Sequence, residues 1–398
     1  MVTLSPTGPF RPVSTPSCPA PSLPALATYL AQVPDTRQAQ GRRHPLPAVL
    51  CLICAALLAG RSTPQAIFEW GRQYPQEVME ALGFRAGKTP CASTLHLVLK
   101  GLAWEALEAH LRAWAEALLG ALPVDGEVVL AADGKTLRGS LKQGSEVAHL
   151  LSVVVHGLGI TLSHEAVARK SNEIPALPTL LARLILSGRV LTVDALLTQR
   201  EIASQIVAAG ADYVMLAKGN QPTLQAQVEA VFAPERREGQ DRESHETFER
   251  GHGRVETRRL TTVSVAEAEV AWPGVAQVFL LERITGRGKS TRQGRVPTYE
   301  RTLVWGVTSL PRERAGAQRL LALTRGHWGI ENGSHWVRDC VFHEDAGQVP
   351  TGTVAQAMAA FRTAAISLLR AHGEPSLTTA TRRLQAQPWE CLALLGII

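Results

Sequence analysis

The sequence predicts an α/β fold in which a helical domain precedes a larger core of strands and helices. The spacing of apolar residues indicates this order, because it is helical between residues 35 and 122 and strand-like from Val128 onward. The chain has 398 residues, of which 45% are apolar and 19% charged. It can therefore bury a sizeable core in two or three structural units.

The first 34 residues have the composition of a flexible tail. They contain eight prolines among many serine and threonine residues. Proline fixes one backbone dihedral and removes a hydrogen-bond donor, so a segment of this kind does not sustain regular structure. We expect residues 1–34 to be a disordered, proline-rich tail.

Residues 35–122 follow with a helical pattern, in which Leu107, Leu111 and Trp114 illustrate the spacing of three and four residues. The run 48–60 is almost entirely apolar. Its 13 residues are too few for a membrane span, which needs roughly 20. We expect a helix in the core of this domain and no association with a membrane.

The cysteines do not indicate disulfide bonds. Six are scattered along the chain without paired spacing, and no signal peptide precedes them, so a reducing cytoplasm is the expected location. Cys51 and Cys54 form one CxxC, but it lies in the apolar run 48–60. Buried structural thiols are favoured there over a redox or zinc site.

The chain is basic, with a net charge of +6 and a pI near 9.2. Lys and Arg side chains neutralise backbone phosphates and release counterions, so this balance suits a nucleic-acid partner, although many basic proteins never bind DNA. A local cluster makes the helical domain a candidate DNA-binding unit; it comprises Arg37, Arg42, Arg43 and His44.

The predicted core spans residues 123–375 and begins with three strands. Residues 128–130 lead into the first strand, and the second and third flank a glycine-rich turn at 157–159, which makes them a hairpin. Residues 175–188 predict a helix, after which a buried strand, a second helix and a fourth strand follow. The order βββαβαβ is that of an RNase H-like core.

A change of composition marks an insertion within this core. Residues 221–313 contain a charge-dense run and two later strand-like segments, QVFLLER and TLVWGVTSL, which predict an inserted β-rich unit. Helical patterns resume after it, and the last one ends on a predicted glycine cap at Gly373. Residues 376–398 form a C-terminal extension.

Two aspartates follow neighbouring strands of the predicted core. Asp133 ends an apolar strand and is succeeded by Gly134, and Asp194 ends the buried strand VLTVDA. For either residue alone, a turn or a helix N-cap is the usual role. Their joint placement favours a site for two divalent metal ions, which clamp the attacking and leaving oxygens of a phosphodiester.

The third acid of such a site must come from a helix packed across the sheet, and Glu331 is the candidate. On a regular helix His327, Glu331, His335 and Arg338 share one face, because the steps between them are four, four and three residues. The alternative is a solvated polar stripe beside two neighbouring tryptophans, which are expected to be buried.

Six ordered segments of the chain resemble the signature blocks of ISAs1-type transposases, also called H-repeat-associated proteins. They are ADGKTLRGS, KSNEIPALPTLL, TVDALLTQREIA, DYVMLAKGNQPTL, GHGRVETRR and RGHWGIENGSHWVRDCVFHED. The resemblance covers about residues 35–371. It implies an RNase H-like catalytic core, a β-rich insertion before the last acid, and Asp133, Asp194 and Glu331 as the metal-binding triad of a DDE-type enzyme.

The resemblance also implies an activity and partners. A transposase of this kind cleaves DNA and transfers the cut strands of an insertion sequence, with Mg²⁺ or Mn²⁺ as the cofactor. Its partners are the transposon ends and the target DNA, both double-stranded, and a second copy of the chain in the DNA complex.

The chain departs from the Tyr-Arg-Glu-Lys signature that related IS4-type enzymes carry around the last acid. Thr324, His327 and Arg338 stand in the places of the Tyr, Arg and Lys. A His cannot offer the two-pronged hydrogen bonding of an Arg, although Arg325 is nearby and Arg338 preserves the charge. The predicted DNA contacts are Lys135, Arg138, Lys218, Arg325, His327 and Arg338.

Alternatives remain open from the sequence. An RNase H-like nuclease without strand transfer would carry the same three acids. An inactive, transposase-derived DNA-binding protein would keep the fold, although the presence of all three acids favours an intact enzyme. Glu344 and Asp345 are a possible substitute acid pair, but they lie about four helical turns beyond Glu331 and suit a helix-end charge cluster better.

Overall fold

The chain forms a mixed α/β fold with one large mixed sheet and helices around it. The computed structural model describes residues 23–85, 87–124, 126–137, 149–167, 173–236, 241–251, 254–291, 294–345 and 353–398. The helices that precede the sheet are α1 (Leu26–Leu30), α2 (Leu46–Leu58), α3 (Pro64–Gln73), α4 (Gln76–Ala81), α5 (Ala92–Lys100) and α6 (Trp104–Ala121).

Helix α2 is the core helix that the sequence predicted. Every residue in it except Pro47 is buried. The stretch Ala39–Leu58 has the length and composition of a membrane span, but most of it is buried inside the protein, as in the core helix of a globular protein. Burial raises the pKa of the Cys51 thiol to about 12, and that of Cys54 well above its usual range. Both thiols are therefore structural.

Helix α1 corrects the predicted extent of the flexible tail. Leu26, Leu30 and Val33 are buried, and the indole N–H of Trp114 donates a hydrogen bond of 3.0 Å to the carbonyl of Pro24. Three apolar side chains at helical spacing gain more from burial than the local prolines cost. The prediction of a disordered tail is thus wrong for residues 24–34, and residues 1–22 lie outside the described residues.

Five strands form one half of the sheet, in the predicted order βββαβαβ. Strand β1 pairs antiparallel with β2 and parallel with β4, and β4 pairs parallel with β5. The order across this half is β3-β2-β1-β4-β5. Its elements are β1 (Val129–Thr136), β2 (His149–Val155), β3 (Thr161–Val167), α7 (Glu173–Leu181), β4 (Val190–Val193), α8 (Arg200–Ala208) and β5 (Asp212–Ala217).

The β-rich insertion continues the same sheet. Its last strand pairs antiparallel with β5, with Val214 opposite Thr308. The charge-dense run, for which we predicted no strands, forms β6 and β7. Cross-strand ion pairs stabilise this exposed hairpin, for example Arg259 with Glu246 at 2.7 Å. The elements are α9 (Pro222–Val231), β6 (Arg242–Gly251), β7 (Arg254–Ser264), β8 (Gln277–Thr291) and β9 (Gly294–Thr308).

The C-terminal helices join the N-terminal helices to the sheet. Helix α12 is buried along most of its length and packs against α2, α5, α6 and β3. It ends at the predicted glycine cap, because Gly373 has a φ of +74° and donates its N–H to the carbonyl of Arg370 at 2.8 Å. The helices are α10 (Ala317–His327), α11 (Trp336–Cys340), α12 (Thr353–Ala371), α13 (Leu377–Leu384) and α14 (Pro388–Leu394).

Candidate active site

Asp133 and Asp194 lie side by side at the sheet. The parallel register of β1 and β4 pairs Ala132 with Val193, so the next residue on each chain segment is an aspartate. Neighbouring strands are about 4.8 Å apart, and in-register parallel residues point to the same face. The two aspartates are therefore neighbours, as the sequence predicted, but Asp133 lies within β1, opposite Ser152, and not at the end of the strand.

Three carboxylates act on Asp133. Burial is the main cause of a raised Asp133 pKa of about 7; the negative charges of Asp194, Glu173 and Glu331 also raise it, against a hydrogen bond from the backbone N–H of Gly134 that lowers it. That bond is 2.9 Å long. Asp194, Glu173 and Glu331 therefore lie near enough to Asp133 for their charges to act on its carboxyl group.

Asp194 has a turn-forming role as well. Its Oδ1 accepts the backbone N–H of Leu197 at 3.1 Å. The hydroxyl of Thr198 lies within hydrogen-bond distance of the backbone carbonyls of Asp194 and Leu216, at 3.0 and 2.8 Å. Asp194 therefore stabilises the turn after its strand, which is the usual role of a strand-end aspartate. This role fixes the orientation of the carboxylate beside Asp133 and does not exclude ligation.

Glu331 lies in a π-turn (Glu331–His335), which changes the predicted single helical face. The backbone N–H of Trp336 reaches back five residues to the carbonyl of Glu331. A π-turn rotates the residues after it relative to regular helical spacing, and such turns occur frequently at functional sites. As a result Glu331 is exposed, whereas His327, His335 and Arg338 are buried.

Two tryptophans beside Glu331 are exposed, contrary to expectation. Trp328 is 51% exposed and Trp336 is 55% exposed. On a regular helix, residues eight apart point about 80° away from each other, but the extra residue of a π-turn brings them toward the same side. The indoles therefore flank Glu331 on the solvent side of this segment.

Both histidines near the acids are neutral. His335 Nδ1 lies 3.6 Å from Asp133 Oδ2, too far for a hydrogen bond. Burial, together with the charges of Arg338 and Lys135, lowers the pKa of His335 to about 3. A neutral ring beside Asp133 leaves the negative charge of the site uncompensated.

His327 is held inside the protein by Thr192. The Thr192 hydroxyl donates its proton to the carbonyl of Leu130 at 3.1 Å. His327 Nδ1 and His156 Nε2 lie 3.0 and 2.9 Å from the same oxygen, so both rings must donate to it. Burial lowers the pKa of His327, and the charge of Asp194 raises it. The predicted phosphate contact of His327 is wrong for this arrangement, because the ring is buried.

Two other predicted DNA contacts also need correction. Lys135 is 8% exposed, and its Nζ lies 2.6 Å from Asp339. Arg338 is fully buried and lies 2.8 Å from Glu344, which also pairs with Arg362 at 3.1 Å. These cations neutralise internal carboxylates and cannot reach a DNA backbone. Glu344, the possible substitute acid, belongs to this internal cluster.

The remaining predicted contacts are accessible or lie outside the described residues. Lys218 is exposed in the loop after β5. Arg325 is partly exposed and pairs with Glu249 on β6 at 2.5 Å. Arg138 lies outside the described residues. In the helical region, Arg37 pairs with Asp35 at 2.8 Å.

Sequence reasoning missed Glu173, although it lies in the signature block KSNEIPALPTLL. It begins α7 and is 5% exposed. Its carboxylate occupies the space beside Gly134, where a Cβ would lie 2.5 Å from Glu173 Cδ. The signal available in the sequence was a glutamate within a block that resembles a catalytic family.

The three acids suit a divalent metal by their chemistry. Carboxylate oxygens are the ligands that Mg²⁺ prefers, and a cation would relieve the repulsion that raises the pKa of Asp133. Within the described ranges, no group of three or more His, Cys, Asp or Glu side chains is already arranged around a metal position. Ligation by all three acids therefore requires the exposed Glu331 side chain to turn inward.

Known families match both regions of the chain. Residues 27–115 match the family described as DDE_Tnp_1-associated, and residues 125–368 match the Transposase DDE domain. The chain thus belongs to the DDE transposase family. This confirms the resemblance to H-repeat-associated transposases.

Individual relatives are similar over most of their length. The chain is 30% identical over 357 residues to "Putative transposase YncI" of Escherichia coli O157:H7, which covers 88% of each chain. It is 27% identical over 353 residues to "H repeat-associated putative transposase YhhI" of Escherichia coli strain K12, over 87% of this chain and 90% of the relative. A solved piggyBac transposase synaptic complex with hairpin DNA aligns with a TM-score of 0.43 and 9% identity, over 93% of this chain and 76% of that chain.

Proposed function

We propose that this protein is the transposase of an ISAs1-type insertion sequence and that it cuts and joins DNA at Asp133, Asp194 and Glu331. The observation that carries the proposal is the parallel register of β1 and β4, which places Asp133 beside Asp194 although the two residues are far apart in the sequence. Membership of the DDE family supports the same assignment. The strand order β3-β2-β1-β4-β5 supports an RNase H-like core.

The proposed cofactor is a pair of Mg²⁺ or Mn²⁺ ions, held by the three carboxylates. When bound, these ions would activate a water molecule and stabilise charge on the attacking and leaving oxygens. The chain contributes two carboxylates fixed by backbone N–H groups, at Asp133 and Asp194, and one exposed carboxylate, at Glu331. The neutral His335 keeps the site negative, and so attractive to cations.

The proposed substrate is double-stranded DNA, at the transposon ends and at the target. Lys218 and Arg325 are accessible cations that suit contacts with backbone phosphates. Trp328 and Trp336 present exposed indole rings beside Glu331, and aromatic rings stack on unpaired bases. A homodimer would hold two transposon ends at once, as transposition requires.

A strand-transfer assay tests the proposal. The protein would be incubated with Mg²⁺ or Mn²⁺ and DNA that carries the element's terminal repeats, and both cleaved and joined products would be measured. Asp133→Asn, Asp194→Asn and Glu331→Gln should each reduce both products by at least about 10³-fold. DNA affinity should be retained, because phosphate contacts come from other side chains.

The other outcomes identify the competing functions. Cleavage without joined products would favour the nuclease. DNA binding without either product in the wild type would favour the inactive, transposase-derived protein. Wild-type activity in any one of the three variants would contradict the role assigned to that acid.

A further inference from the structure

Arg370, in the last turn of α12, connects two backbone segments beside Glu331. Its Nη1 donates to the carbonyl of Gly159 at 2.7 Å, and its Nη2 donates to the carbonyl of Gly333. Gly159 lies in the turn between β2 and β3, and Gly333 lies in the π-turn, two residues after Glu331. One guanidinium group therefore ties the π-turn to the hairpin turn of the sheet.

Both carbonyl groups that Arg370 binds belong to glycines. Steric constraints explain why residue 159 is a glycine. A Cβ at Gly159 would lie 2.5 Å from Cζ of Arg370, so any side chain there would displace the guanidinium. Gly159 also has a φ of +63°, a conformation that favours glycine. A Cβ at Gly333 would lie 3.4 Å from Nη2, which is an ordinary close contact.

The buried side chain of Ile330, next to Glu331, packs against Ala131 and Val154 of the sheet and anchors the start of the π-turn. A cavity of about 400 Å³ separates the π-turn from the hairpin turn and α12. Glycines form much of its wall, namely Gly157, Gly159, Gly326, Gly329, Gly333 and Gly373. Since glycines have no side chains to pack, the hydrogen bond from Arg370 to Gly333 holds the part of the turn that lies beyond Ile330.

The two hydrogen bonds of Arg370 offset the loss of hydration that its guanidinium suffers on burial. Burial lowers the pKa of its guanidinium, which shows that the cation is desolvated. An Arg stays charged in proteins, and a desolvated charge is tolerated when strong hydrogen bonds replace water. A π-turn is less common than regular helix, so an added donor at its carbonyls stabilises it.

We propose that Arg370 is a positioning residue for Glu331: it fixes the π-turn through the Gly333 carbonyl and so sets the backbone position from which the exposed Glu331 side chain would turn toward Asp133 and Asp194. This inference rests on the proposed function, because it assumes that Glu331 is a metal ligand. Groups that orient metal ligands typically contribute 10- to 100-fold to metal affinity or activity.

The test measures metal binding directly with Tb³⁺ in the full chain. Tb³⁺ binds carboxylates, and nearby excited indoles sensitise its luminescence; Trp328 and Trp336 flank Glu331. Arg370→Met removes both hydrogen bonds, and Gly159→Ala displaces the guanidinium while the arginine remains. Both variants should raise the Tb³⁺ concentration at half-saturation by about tenfold or more and slow DNA cleavage similarly. Affinity for DNA without metal should not change.

Two further variants keep the test decisive. Arg189→Met removes another partly buried arginine, which pairs with Glu116 at 2.6 Å before β4, and should lower only the melting temperature. Arg370→Lys keeps a cation that can bind one carbonyl, so it should show an intermediate defect even where Arg370→Met does not fold.

Wild-type Tb³⁺ binding and cleavage in Gly159→Ala and Arg370→Lys would overturn the role of Arg370. The Glu331→Gln variant tests the proposed function itself. If this variant binds Tb³⁺ as tightly as the wild type, Glu331 is not a metal ligand, and the positioning role of Arg370 fails together with the proposed function.

Discussion

The carboxylate of Glu173 lies against the backbone of Gly134, the residue that follows Asp133 on β1. A Cβ at Gly134 would lie 2.5 Å from Glu173 Cδ, closer than packed atoms approach. The negative charge of Glu173 also raises the pKa of Asp133. The lack of a side chain at residue 134 thus allows a fourth carboxylate to lie beside the three proposed ligands.

Gly134→Ala should therefore disturb both the fold and the site. Overpacking should reduce the free energy of unfolding by about 1–3 kcal/mol. Displacement of the Asp133 carboxylate by about 1 Å should slow DNA cleavage about a hundredfold. The measurements are denaturant unfolding and single-turnover cleavage. Gly219→Ala is the control, because a Cβ there would meet nothing within 4 Å. A wild-type cleavage rate in Gly134→Ala would remove the functional role of this contact.

The raised pKa of Asp133 predicts a specific pH dependence. The Asp133 carboxyl has a pKa of about 7 in the folded protein against an ordinary value of 3.8, so the folded state binds more protons between these pH values. The protonated Asp133 carboxyl contributes fully to stability below about pH 3.8, and this contribution is lost as pH rises through about 7. Without metal, Asp133→Asn should therefore gain stability relative to wild type as pH rises from 4 to 8. A constant difference between the two proteins would contradict the raised pKa.

The affinity of the site for Mn²⁺ should increase as pH rises through the same range. Ligation requires the ionised carboxylate, so the Mn²⁺ concentration needed for half-maximal cleavage should fall as pH rises toward 7. Calorimetric titration of Mn²⁺ at several pH values gives the same quantity without activity. A Mn²⁺ affinity that is independent of pH between 5.5 and 7.5 would show that no ligand titrates there.

The exposed tryptophans should contribute to the binding of unpaired DNA. Trp328→Ala and Trp336→Ala should each weaken binding to DNA ends with unpaired bases by about 1–3 kcal/mol, because each ring can stack on a base. Fluorescence anisotropy at matched salt measures this loss. Trp389→Ala, at a residue 46% exposed on α14, is the matched control and should have no effect. Equal effects of all three substitutions would mean that the loss is unspecific.

The basic residues should divide into two groups by salt dependence. Lys218→Ala should reduce the slope of log affinity against log salt by about one, as expected for a lost phosphate contact. Arg338→Leu should leave the slope unchanged but lower the free energy of unfolding by about 3–5 kcal/mol, because it leaves Glu344 with one partner fewer in a buried cluster. A changed slope in Arg338→Leu would contradict its internal location.

The sequence predicted the features that depend on local pattern. Apolar runs and glycine turns predicted the order βββαβαβ, and the register of β1 with β4 brings Asp133 and Asp194 together, although Asp133 lies within its strand and not at its end. The charges of β6 and β7 hid two strands, because exposed strands can carry ion pairs on both faces and so lack an apolar alternation. In α1, the surrounding prolines hid three apolar residues at helical spacing.

The features that sequence reasoning missed depend on partners distant in the chain. Lys135 looked like an exposed cation because its partner, Asp339, lies 204 residues away. The π-turn at Glu331 follows from contacts such as Arg370 with Gly333, which no local periodicity encodes. Regular helical spacing therefore gave one shared face for His327, Glu331 and His335, where the structure separates the exposed acid from the buried imidazoles.

The most direct test of the central claim is the position of manganese in crystals of the protein bound to DNA ends, located by anomalous scattering. We expect Mn²⁺ within about 2.0–2.3 Å of carboxylate oxygens from Asp133, Asp194 and Glu331 together, near the scissile phosphate. The claim is contradicted if Mn²⁺ lies elsewhere, or if Glu331 still points to solvent while the metal is bound and DNA is cut.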